Sequence, residues 1–162
     1  MRSFSNLWYW IALAVVWSTA SHWVIGVPYD MVLRAQRLGG EAQADLHDIV
    51  RVSVNRILHV SDTAGLWLTA FGCCALSMLA VLGFGYRLEL AQAVFLLAFP
   101  LSLVAWMSVR TARQIREADG AGLYRTMRRL RLITQILGMI SIFVTAFWGM
   151  WQNMSLSVLS AI

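Results

Sequence analysis

Four stretches of the chain are apolar at almost every position: Leu7–Val27, Ala64–Phe84, Leu90–Val109 and Leu132–Trp151. Each is 20 or 21 residues long, and none contains a formal charge. At about 1.5 Å of rise per residue, such a helix spans the ~30 Å hydrocarbon core of a bilayer. The pattern therefore predicts an all-α, polytopic membrane protein with four transmembrane helices. Between the stretches the period changes. Leu46, Ile49/Val50, Ser53/Val54 and Ile57/Leu58 recur at helical spacing, while Asp48, Arg51, Asn55 and Arg56 mostly take the other side. Leu123, Met127, Leu130, Thr134 and Leu137 follow the same rule ahead of the last span. Gly39-Gly40 and Asp119-Gly120-Ala121-Gly122 punctuate the two connectors. Both connectors, 28–63 and 110–131, are thus expected to be helical hairpins. Each would run without a break into the span that follows it, giving one domain built as an antiparallel bundle.

Within the spans, small residues recur every fourth position. The second span has Ser61, Gly65, Thr69, Cys73 and Ser77. The first has Ala14, Ser18, His22 and Gly26, and the fourth has Ser141, Thr145, Gly149 and Asn153. Apolar burial does not drive helix association in lipid, so close backbone approach and interhelical hydrogen bonds must. These stripes are read as helix-packing faces, and His22 falls on one of them. Pro28 is expected to bend or end the first helix, and Pro100 to kink the third unless its freed carbonyl finds another donor. Trp8, Trp10, Trp148 and Trp151 at one end, with Trp23 and Trp106 at the other, suit interfacial belts; Trp17 and Trp67 do not.

Charge supplies the orientation. Of the 162 residues, 59% are hydrophobic and 13% charged, against about 25% charged in a soluble domain. All 13 basic residues are arginine. The first connector holds Arg34, Arg37, Arg51 and Arg56, and the second Arg110, Arg113, Arg116, Arg125, Arg128, Arg129 and Arg131. The other side has Arg2 and Arg87. Eleven against two is expected to place both connectors in the cytoplasm, with both termini on the opposite side of the membrane. Cleavage of the first span as a signal peptide would move the first connector outside, against that bias.

Candidate chemistry is sparse. His22, His59 and Asp62 lie in or near the inner leaflet, and His59 and Asp62 share a helical face. Two imidazoles could ligate a b-type haem, and the three groups together a divalent metal. At 1.5 Å per residue His22 lies roughly 10 Å deeper than Asp62, which argues instead for packing. His47, beside Asp48 and Arg51, is read as solvated. Cys73 and Cys74 are helix neighbours, pointing about 100° apart, and are read as packing residues. Arg113, Arg116, Arg125, Arg128, Arg129 and Arg131 suit anionic lipid headgroups or an acidic protein partner, and lack the interleaved aromatics of a nucleic-acid surface. Salt bridges from the first connector's acids, Asp30, Glu41, Asp45 and Asp48, to the more basic second connector are a further expectation. The eight acids assemble no catalytic pair or triad.

The opening MRSFSNLWYWIALAVVWSTASHWVIGVPYDMVLRAQR resembles a small group of bacterial inner-membrane proteins described as components of the SufBCD iron–sulfur assembly complex. The resemblance implies a four-span membrane protein linked to cluster assembly and assigns no functional residue. The leading expectation is a non-enzymatic accessory or scaffold subunit of a larger inner-membrane assembly, itself open to oligomerisation. The alternatives are a haem or metal protein using His22 and His59, and a small transporter or proton-coupled channel.

Overall fold

The structure, a computed structural model, describes residues 7–118 and 120–159, with only the backbone described at 153 and 155–159. Arg2, Asp119 and the side chain of Asn153 lie outside it. The elements are α1 (Leu7–His22), β1 (Trp23–Val24), β2 (Val27–Pro28), α2 (Tyr29–Leu38), α3 (Gly40–Ala80), α4 (Glu89–Glu117) and α5 (Leu123–Leu159). A wide helical turn, Val81–Gly85, closes α3. The chain is all-α apart from the two-residue strand pair. Among the described residues, three helices are long and apolar enough to cross a membrane: Gly40–Gly85, Glu89–Glu117 and Leu123–Gln152.

The unbroken connectors appear as expected. α3 runs 41 residues from the amphipathic segment into the apolar one, and α5 does the same over 37. The first stretch departs from expectation. α1 stops at His22 after 16 residues, about 24 Å, so Leu7–Val27 is not one helix. A tight hairpin follows, pairing Trp23 with Pro28 and Val24 with Val27. Its central residues, Ile25 and Gly26, have φ of 56° and 74°. Two positive φ angles are what a mirror-image hairpin turn needs. Ile25 is an unfavourable residue there, and it is held because its side chain is buried in the core.

The apolar core lies at the arginine-bearing end of the molecule. Val24, Ile25 and Val27 of the hairpin and Val32 and Ala35 of α2 meet Leu46, Val50, Val54 and Leu58 of α3. Ala112 and Ile115 of α4 and Leu123, Met127 and Leu130 of α5 complete it. Of the periodic positions read from the sequence, Leu46, Val50, Val54, Leu58, Leu123, Met127, Leu130 and Thr134 are buried, Ser53, Ile57 and Leu137 are partly buried, and Ile49 is exposed. Arg131 stacks over the Tyr29 ring at 3.9 Å and ties the start of α2 to α5. Among the described residues, one ion pair joins the two connectors, Arg113 with Asp62 at 3.8 Å, whereas Asp48 pairs with Arg51 on its own helix at 3.1 Å, both exposed. The hairpins are joined mainly by apolar contact, and the salt bridges expected from Asp30, Glu41, Asp45 and Asp48 to the second connector do not form among the described residues.

The apolar half packs in series, α3 on α4, α4 on α5, and α5 on α1. Its contacts are specific rather than numerous. Trp17 lies flat against Gly138, where an added Cβ would sit 2.8 Å from the indole. That contact accounts for Gly138 and for a tryptophan that no interfacial belt explains. Pro100 lacks the N–H that would reach the Leu96 carbonyl, and Ser141 Oγ donates to that carbonyl at 3.4 Å from α5. At the far end, buried Gln92 donates to the Gly83 carbonyl at 2.8 Å. Its oxygen accepts from Trp148 Nε1 at 3.0 Å and Gln152 Nε2 at 3.1 Å. Trp148 therefore spends its N–H inside the protein. Tyr9 of α1 donates to the Ala93 carbonyl at 3.1 Å.

Candidate functional site

The three small-residue stripes meet different fates. On α5, Ser141, Thr145 and Gly149 are buried, as a packing face should be. On α1 the face that packs is Leu13 and Trp17, and Ala14, Ser18 and His22 point outward. His22 makes an edge contact with Trp23 at 6.5 Å and is not inside a helix interface. Gly26 lies in the hairpin turn. On α3 the stripe leaves the protein's interior as it rises. Ser61 and Gly65 are half-buried, whereas Thr69, Cys73 and Ser77 are exposed. No other helix covers those three, which are exposed, and none of the α3 apolar window is buried among the described residues.

The stripe instead forms one wall of an open groove of about 1060 Å³ between α3 and α4. Gly65, Thr69, Gly72 and Cys73 line it from α3, and Leu103 and Trp106 from α4. The groove is chemically graded. Its only charged lining groups, Arg56, Arg110 and Arg113, cluster at one end. Arg113 approaches Asp62 at 3.8 Å and Ser61 Oγ at 3.5 Å, with both ionic partners more than half exposed. Arg110 rests over the Trp106 ring at 5.7 Å, and Arg56 has no acidic partner among the described residues. Along the apolar length the hydroxyls are turned inward onto their own helices. Thr69 donates to the Gly65 carbonyl at 2.7 Å, and Ser102 to the Phe99 carbonyl at 2.6 Å.

The six arginines singled out from the sequence divide. Arg125, Arg128 and Arg129 are exposed on α5, with no acidic partner among the described residues. Arg113 belongs to the groove. Arg116 lines a smaller cleft of about 400 Å³ with His47, Asp48 and Arg51. Arg131 is half-buried on Tyr29, so its charge serves the fold rather than an outside partner. His59 is exposed on α3 and lines neither cleft, nor does His22. No group of three or more metal-ligating side chains comes together among the described residues. Arg56 and Arg110 were legible as charges but not as groove residues, because only the α3–α4 pairing brings them to one mouth.

Comparison with protein-family models, curated proteins and solved structures finds no match.

Proposed function

We propose that the protein is a non-enzymatic accessory or scaffold subunit of a bacterial inner-membrane assembly. In this reading α3, α4 and α5 cross the membrane. α1, which lies against α5, is the fourth and shortest crossing. The arginine-bearing end faces the cytoplasm, in keeping with the excess of arginine on that side. One observation carries the role: Arg125, Arg128 and Arg129 stand exposed, without acidic partners among the described residues, on a helix whose opposite side is locked into the core by Leu123, Met127 and Leu130. A rigid basic face just beyond the start of a membrane stretch suits an acidic protein surface lying over anionic headgroups. The resemblance of the opening residues makes iron–sulfur assembly proteins the first partners to test.

The test is purification of the full chain from its native membrane in mild detergent, with mass spectrometry of whatever accompanies it. A companion protein is expected with the wild type, and its loss with Arg125→Glu/Arg128→Glu/Arg129→Glu. Exposed substitutions of this kind usually change stability by about 0.5 kcal/mol or less, so circular dichroism should be unaltered. Wild type recovered as a bare monomer would refute the role.

A further inference from the structure

We propose that the α3–α4 groove binds one anionic glycerophospholipid of the inner leaflet. Its phosphate would lie among Arg56, Arg110 and Arg113, and an acyl chain along Gly65, Thr69 and Gly72. The inference rests on the membrane placement proposed above and not on the accessory role. Four features select this occupant. The groove is charged at one end only, and that end is where the helices leave their apolar stretches. Its three arginines outnumber the single neighbouring carboxylate, Asp62, so the mouth keeps a surplus of two positive charges. Trp106 sits at the same level, the position an indole takes at a headgroup boundary.

Along its length the wall asks for hydrocarbon. Thr69 and Ser102 have already committed their hydroxyl protons to backbone carbonyls. The groove therefore offers a polar solute little to bind, and an alkyl chain loses nothing by lying there. Gly72 has open space where a side chain would project, with nothing within 4 Å of an added Cβ. The missing side chain opens a furrow and serves no close approach inside this chain. A second copy of the protein fits less well. A two-fold axis along the membrane normal would bring its Arg56, Arg110 and Arg113 to the same depth as the first set, like charge against like.

Gly72→Leu separates the cradle from the charges, because it fills the furrow without strain and leaves every arginine in place. The full-length protein in mild detergent is titrated with phosphatidylglycerol or phosphatidylcholine, and bound lipid is counted by native mass spectrometry. The wild type should bind one phosphatidylglycerol at least about tenfold more tightly than phosphatidylcholine, since each basic group near the surface contributes roughly a fivefold preference for anionic lipid. Arg56→Gln/Arg110→Gln/Arg113→Gln should erase that preference. Gly72→Leu should lower occupancy by both lipids, with helicity and the α5-dependent companion unchanged. Equal binding of the two lipids by the wild type, or undiminished phosphatidylglycerol on Gly72→Leu, overturns the assignment. So does a dimer that Gly72→Leu converts to monomer, which would give the groove to a second copy. Failure here leaves the docking role intact, because that role uses different arginines and a different readout.

Discussion

The two ends of this molecule are held together by different physics. At the arginine-bearing end, residues from the hairpin and all four following helices bury aliphatic side chains in one cluster, and polar contacts are peripheral. In the apolar half, large side chains such as Leu66, Phe71, Phe143 and Phe147 face outward, and apart from Leu13 and the Phe84, Phe95 and Trp148 rings the inward contacts are small or polar. They are Trp17 on Gly138, Ser141 on the Leu96 carbonyl, and the Gln92 cluster. Water makes apolar burial favourable, whereas a hydrocarbon solvent removes that driving force and leaves packing and hydrogen bonds. One chain changes its means of cohesion partway along α3 and α5 without interrupting either helix.

That contrast predicts a gradient of mutational cost. The largest effect belongs to Met127→Ala, which empties a fully buried site in the water-side core and should cost about 2–5 kcal/mol in reversible unfolding from micelles. Gly138→Val comes next. It drives a side chain into the Trp17 ring and should cost about 1–3 kcal/mol, relieved in part by Trp17→Leu if the clash is the cause. Gln92→Leu should be the mildest, about 1–2 kcal/mol, because hydrogen bonds among membrane helices average roughly 0.6 kcal/mol each. A Gln92→Leu protein as unstable as Met127→Ala would end the contrast, since the far half would then depend on its polar cluster as much as the core depends on methionine.

Within the apolar half, α3 and α5 sharpen the lesson. Both present small residues at every fourth position, and by sequence the two stripes are equivalent. α5 buries Ser141, Thr145 and Gly149 because α4 and α1 lie against it. α3, whose main neighbour among the long helices is α4, leaves Thr69, Cys73 and Ser77 uncovered. Four-residue spacing states that a close neighbour is acceptable there; it does not name one. The same ambiguity explains α1, where Ala14 and Ser18 repeat properly and yet Leu13 and Trp17 make the contact.

Much of the architecture was legible in linear form. Uninterrupted apolar runs located the three long helices, and the repeating Leu46, Val50, Val54, Leu58 and Leu123, Met127, Leu130 picked out core positions. Those signals are local, since hydrophobic period is a property of one helix in one solvent. The hairpin at Trp23–Pro28 escaped because an apolar strand and an apolar helix end look alike when no polar residue marks the period.

The amino-acid sequence alone determined which segments are helical, which faces are apolar and at which end the positive charge gathers, because each follows from side chains a few positions apart. The tertiary arrangement decided which small-residue face found a partner, that Arg131 turned inward, and that Arg56, Arg110 and Arg113 share the mouth of one groove. Those outcomes depend on which helices become neighbours, and pairing between segments fifty residues apart is settled by shape and hydrogen bonds that no local pattern encodes.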